Sequence, residues 1–249
     1  MKKVISMSLW CQSNPINKGC IFQTPDMYCL GALENIKLKN ILYPDWTLRY
    51  YLDNTVPKNL IDQLKEKNVE IIDMTGSKIP GMFWRFLVMN DPKVNTFIVR
   101  DIDSRLNLRE KLAVSEWMES DKIMHVMRDH PHHYYKILGG MWGFKNESIK
   151  FDIELAIHNF LKLNNYKFKR MDDMNFLNLL YDSMKSYILE HDTFYQHVYK
   201  SQKFPSNTKL GKYYNYVGEI FNAKNVPELK KRDTNILQNY KSHIKKNIK

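Results

Sequence analysis

In the first half of the chain, apolar residues come in short β-branched or aromatic runs. Each run is followed by a stretch in which they return every three or four positions. The runs KKVISMSL, TLRYYLD, VEIIDM, NTFIVRD and KIMHVMRD predict strands, each bounded by turn formers. Residues 25–40, 57–67, 83–90 and 108–120 carry the helical repeat. Strand and helix alternating in this way predict the α/β class, with a mostly parallel central sheet covered by helices on both faces. In open sheets of this kind ligands bind at the carboxyl ends of the strands, and Asp53, Asp73, Asp101 and Asp103 all fall at such ends. Beyond residue 145 the pattern turns helical, in SIKFDIELAIHNFLKL and DMNFLNLLYDSMKSY, and this half is expected to cover the sheet and supply a second substrate's site. There is no internal repeat, no low-complexity segment and no Gly/Pro/Ser linker.

At 249 residues and 43% apolar, the chain can bury a sizeable core and fits one domain better than two. No run approaches the roughly 18 to 20 apolar residues of a membrane-spanning helix, and the start is too short in apolar residues for a secretory signal, so a cytoplasmic protein is expected. The odd cysteine count, Cys11, Cys20 and Cys29 with no histidine among them, reads as reduced thiols. The net charge is +11, and residues 224–249 hold eight Lys/Arg against two acids, so this tail supplies +6 of it. A body carrying only the remainder does not read as a nucleic-acid surface, whereas a basic tail can hold a protein at an anionic membrane. A solvated C-terminal helix explains the tail as well.

Where the fourth strand ends, NTFIVRDIDSR aims two carboxylates at one place. Side chains alternate faces along a strand, so Asp101 and Asp103 share a side while Ile102 enters the opposite layer. Converging carboxylates repel unless a cation lies between them, and hard oxygen ligands suit Mg²⁺ or Mn²⁺. The spacing alone is common, and its plain alternative is a solvated turn in which Asp103 and Ser104 cap the next helix. Four histidines, His125, His130, His132 and His133, crowd into nine positions. Their spacing matches no zinc module, and lining a polar cleft beside Arg128 and Asp129 suits at least one of them better.

The order of strand, DID, the glycine-rich GGMWG and the acidic helix start DDMNFL resembles a glycosyltransferase of the GT-A (Rossmann-like) fold. MRDHPHHYYKILGGMWGFKN and YPDWTLRYYLDN are similar to small glycosyltransferases of bacteria and large DNA viruses. The likeness spans residues 2–222. It implies a domain over 1–223, with a donor half to about residue 105 and an acceptor half after it, and leaves 224–249 as the tail.

Carried onto this sequence, the resemblance implies that Asp103 grips the metal and that Asp101 holds the donor's ribose or a metal-bound water. It implies nucleotide contacts from Arg85, from Ser8, Leu9 and Trp10 at the end of the first strand, and from Asp53. DMNFL stands where the family has D-Q-x-F-L, which gives the acceptor-side base to Asp173, with Asp172 as the alternative and Met174 in place of the usual glutamine. His191 is the implied further metal ligand, against the plain reading of an ordinary polar residue. In that setting Gly139, Gly140 and Gly143 would let backbone approach a sugar and Trp142 would stack on it, against the plain reading of a tight turn with Trp142 in the core. Lys209 and Lys212, after KFPS, are candidates to close over the diphosphate, and solvated lysines explain them equally well. The implied activity is transfer of a sugar from a nucleotide-sugar donor, a UDP-sugar, to a hydroxyl of a glycan or other glycoconjugate. Nucleotidyl or phosphoryl transfer remains an alternative with the same carboxylates, although no G-x-x-x-x-G-K-[ST] loop is present, and a basic nucleic-acid-binding protein is a third reading.

Overall fold

A computed structural model describes residues 1–11, 25–146, 151–206 and 216–227. Seven strands form one sheet: β1 (Lys2–Leu9), β2 (Thr47–Leu52), β3 (Glu70–Asp73), β4 (Val94–Arg100), β5 (Met124–Arg128), β6 (Met141–Lys145) and β7 (Ile188–Asp192). Their order is β3-β2-β1-β4-β6-β5-β7. β6 runs antiparallel to both of its neighbours, and every other pairing is parallel. The helices are α1 (Pro25–Leu42), α2 (Lys58–Glu66), α3 (Gly81–Trp84), α4 (Leu108–Glu119), α5 (Ile153–Leu163), α6 (Asp172–Met184) and α7 (Gln196–Tyr199). Among the described residues no helix is long and apolar enough to cross a membrane.

The two faces of the sheet bury separate cores, which is why its central strands read as nearly continuous apolar runs. Along β4, Phe97 and Val99 join Phe83, Phe86, Trp142 and Phe176 on one face. Ile98 instead joins Ile5, Met7, Ala32 and Trp117 on the other. The α/β class and mostly parallel sheet are therefore as the alternating pattern predicts.

Three expectations are corrected. GGMWG is not simply a turn, because MWGFK forms β6 in register with β4, Val99 opposite Trp142. The second half also contributes β7, on the far edge beside β5. Residues 83–90 are not one α-helix, since α3 passes at Arg85 into a 3₁₀ turn reaching Asn90. That tighter winding puts Phe83 and Phe86, three apart and eclipsed, into the same aromatic cluster, with ring centroids 5.9 Å apart.

Two local features aim the site. β4 stops at Arg100, and residues 101–104 turn back, with Ser104 donating from its backbone N–H (3.3 Å) and its hydroxyl (2.7 Å) to the Asp101 carbonyl. Asp101 and Asp103 thus share a side through a turn rather than through strand alternation, while Ile102 packs in the core behind. At the other approach, Met171 takes a left-handed backbone (φ +77°) that starts α6 and turns Asp173 inward.

Candidate active site

Arg85 is the centre of the site. Its backbone is fixed from both sides by β1: Ser6 donates to its carbonyl (2.6 Å), and its own N–H donates to the Ser8 hydroxyl (2.9 Å). The guanidinium then bridges two carboxylates that lie 72 residues apart in sequence. Nη1 pairs with Asp101 Oδ1, and Nη2 lies 3.0 Å from Asp173 Oδ2. The two glycines before β6 make this convergence possible. A Cβ on Gly139 would fall 2.2 Å from Asp173 Oδ2 and 2.7 Å from Arg85 Nη2, and one on Gly140 would fall 2.0 Å from Asp101 Oδ2. No side chain fits at either position without moving a carboxylate.

These groups face a cavity of about 400 Å³, whose lining includes Ser8, Trp10, Arg85, Asp101, Asp103 and Asp173. The volume lies in the range of small-molecule sites. The lining also includes His132, His133, Tyr134 and Tyr135, with the two tyrosine rings stacked at 5.0 Å and the Tyr135 hydroxyl on the Met171 sulfur (3.3 Å) at the start of α6. His133 Nδ1 accepts the Asp129 backbone N–H (3.1 Å), and burial holds its imidazolium form well below the usual range, so it is a neutral ring. Burial pushes the Asp103 carboxyl up to about 7, the nearby Asp101 charge adding to it and Arg85 opposing. Asp173 is raised chiefly by burial, against the Arg85 charge.

A hard divalent cation fits this donor set. Asp103 and the part-exposed Asp101 are acidic oxygens facing one cavity, and of the two Arg85 pairs only with Asp101. Among the described residues no group of three His, Cys, Asp or Glu could complete a cage. The pair therefore suits an ion that keeps water and takes phosphate oxygens, as Mg²⁺ does, rather than one held by protein alone.

The structure also separates the sequence candidates. Ser8, Trp10, Arg85, Asp101, Asp103 and Asp173 line the cavity, and Gly140 supports Asp101 from beneath. Leu9 points into the core on the opposite face and is 1% exposed. Asp53 is outside the lining; it accepts from Thr55, whose hydroxyl in turn accepts the Cys11 N–H (2.9 Å). Asp172 ties the start of α6 to the preceding turn, accepting from the Lys169 N–H (2.6 Å) and the Asn175 side chain (3.0 Å), which leaves Asp173 as the inward carboxylate.

Trp142 cannot stack on a sugar. It is buried in the core, edge-on to Phe86 and Phe97, because β6 directs it there. Arg128 is likewise removed from any acceptor, being buried in ion pairs with Glu190 and Asp192 and stacked 3.9 Å over Tyr199. His191 is not a ligand beside Asp103. On β7 its ring nitrogens are taken by His125 (2.8 Å), Glu116 (3.3 Å) and Gln202 (3.0 Å), and it is outside the cavity. Lys209 and Lys212 lie outside the described residues.

One wall escaped the sequence reading. Gly218 and Ile220 line the cavity, Ile220 bridges to Ser104, and Phe221 donates to the Asp103 carbonyl at 3.0 Å. Arg105 locks this segment by donating to Asn225 (3.0 Å) and lying 5.0 Å over Phe221. Asn225, just past residue 223, thus packs back onto the carboxylate turn. Of the four crowded histidines, His132 and His133 line the cavity, as expected of at least one of them.

No family model matches the chain, and no curated protein matches it. Solved structures with similar chain paths include 4-diphosphocytidyl-2C-methyl-D-erythritol synthase from Anaerococcus prevotii DSM 20548. It is 11% identical with a TM-score of 0.42, covering 79% of this chain and 91% of that one. A putative glucose-1-phosphate thymidylyltransferase from Bacillus anthracis, in complex with a sucrose, is 10% identical with a TM-score of 0.44, covering 77% and 86%. S. aureus TarS 1–349 is 10% identical with a TM-score of 0.39, covering 71% of this chain and 54% of that one. Likenesses of this depth assign no activity to the chain.

Proposed function

We propose that this protein is a metal-dependent glycosyltransferase that moves a sugar from a nucleotide-sugar donor, a UDP-sugar, to a hydroxyl of a glycan or other glycoconjugate. The observation that carries this reading is the single guanidinium of Arg85 joining Asp101, one of the carboxylate pair, to Asp173 at one cavity. Transfer to a hydroxyl needs two chemically opposite ends, one that receives negative charge and one that removes a proton, and this arrangement holds both in fixed register.

Asp101 and Asp103 would hold Mn²⁺ or Mg²⁺, which supplies charge neutralisation for a leaving diphosphate. Ser8 and Trp10, at the end of β1, line the same cavity and suit the nucleoside. Asp173 takes the acceptor's proton in an inverting transfer. Burial raises its carboxyl, against the Arg85 charge, and the Arg85 hydrogen bond aims it. His133 and the stacked Tyr134–Tyr135 pair face the acceptor side, where a neutral ring and apolar faces suit a sugar. The tail of residues 224–249 adds electrostatic attraction to an anionic membrane from the cytoplasmic side.

The test is thermal stabilisation by UDP-sugars with and without Mn²⁺, set beside nucleoside triphosphates with sugar phosphates and beside DNA. The proposal expects Mn²⁺-dependent stabilisation by a UDP-sugar alone. Stabilisation by the triphosphate would move the reading to nucleotidyl transfer.

A further inference from the structure

Cys11 and Cys29 meet at the edge of the cavity. Cys11 follows Trp10 at the end of β1, Cys29 follows Tyr28 in the first turns of α1, and both Trp10 and Tyr28 line the cavity wall. The two sulfurs are 4.0 Å apart and half-buried. Their backbones are held independently: the Cys11 N–H donates to Thr55 beyond the end of β2, and Cys29 rides on α1, whose neighbour Ala32 accepts a hydrogen bond from the buried Tyr50 hydroxyl (2.8 Å). Trp10 is further fixed edge-on to Trp84, with centroids 5.9 Å apart. The thiols are thus kept together by the scaffold on each side, and closing them to a bond of about 2.05 Å needs a side-chain movement of about 2 Å.

We propose that Cys11 and Cys29 are a redox-active dithiol, a modification site that low-molecular-weight disulfides of the glutathione class convert to an intramolecular disulfide. One of the two thiolates attacks one sulfur of the oxidant, forms a mixed disulfide and releases one thiolate. The other cysteine, already in contact at 4.0 Å, then attacks that protein sulfur and releases the second. Two protein thiols are oxidised, one disulfide is reduced to two thiols, and both protein protons end on the released thiols. The product would fasten the end of β1 to α1 directly behind Trp10 and Tyr28. In a reducing compartment the pair rests as thiols, which is where such sites serve as sensors rather than staples.

The inference does not depend on the transferase reading. The full chain is equilibrated with glutathione disulfide, alkylated and mapped by mass spectrometry. The expected product has lost two hydrogen atoms, contains a Cys11–Cys29 cross-linked peptide, reverts with dithiothreitol and leaves Cys20 alkylated. Cys20→Ser should form the same link, whereas Cys29→Ser should form no intramolecular link. Full alkylation of both Cys11 and Cys29 under excess oxidant, or a link that includes Cys20, would overturn the proposal.

Discussion

Replacing Asp103 with asparagine should make the metal-free protein more stable at neutral pH, although it removes a residue on which the proposed activity depends. The folded carboxyl titrates at about 7 rather than the ordinary 3.8, because burial and the Asp101 charge disfavour its ionised form. The folded state therefore keeps a proton that the unfolded state gives up. Stability falls as pH rises from about 4 to about 7, and the penalty is complete above that. At about 1.4 kcal/mol per pKa unit the shift amounts to about 4 kcal/mol, and because Asp103 is only part-buried at the cavity, about 2 kcal/mol survives solvent screening. Asparagine has the shape of the protonated acid and no charge to desolvate. For a chain of this size the gain corresponds to roughly 4–8 °C in Tm at pH 8, shrinking to about a third at pH 5. The assay is a pair of melting curves for wild type and Asp103→Asn across that range in chelator. Adding Mn²⁺ should then raise the wild-type Tm at pH 8 but not that of the variant. An Asp103→Asn protein no more stable than wild type at pH 8 would refute the electrostatic reasoning, and wild type indifferent to Mn²⁺ would refute the metal assignment.

Asp173→Asn should fold and bind donor with metal as before but lose transfer by about 10² to 10⁴, the usual contribution of a positioned base, whereas Asp172→Asn, which loosens only the turn before α6, should cost at most about 1 kcal/mol in denaturant melts. Equal activity in both variants would remove the carboxylate base. Gly140→Ala places a methyl group 2.0 Å from Asp101 Oδ2, so Mn²⁺ affinity measured by paramagnetic resonance should drop at least about tenfold while the chain stays folded by circular dichroism. A chain ending at Pro227 should keep metal-dependent donor binding and lose affinity for anionic vesicles, while one ending at Glu219 should lose donor binding, because Phe221 and Asn225 no longer hold the turn that carries Asp103.

What the sequence made legible follows the range of the interactions involved. The strand ends that carry Asp101 and Asp103 are local, since a β-branched run stopping at a polar cluster is visible within ten residues, and Asp173 at a helix start is equally local. The errors share a different cause. Trp142 and Gly140 are two residues apart, yet one belongs to the core and the other to the site, because Trp142 lies inside β6 against β4 whereas Gly140 lies just ahead of the strand, beside Asp101 where β4 has ended. Read as a turn, the same residues have no faces to assign. Arg128 and His191 attract attention as charged or titratable groups near the motif, but β5 pairs with β7, and that pairing buries Arg128 among Glu190 and Asp192 and His191 against His125. Partners more than 60 residues away cannot be inferred from periodicity.

The same logic explains why the site needs the whole chain. Arg85 stands on the segment between β3 and β4, Asp101 follows β4, Asp173 opens α6, and Phe221 holds the turn from near the end of the described chain. None of these contacts forms unless the sheet is closed in the order observed, with β6 set between β4 and β5. Gly139 and Gly140, just ahead of β6, then let backbone pass close beside the two carboxylates and their shared guanidinium. The clustering of acidic groups, which opposes folding on its own, is thus offset by the cation at its centre and by any divalent ion at its open side.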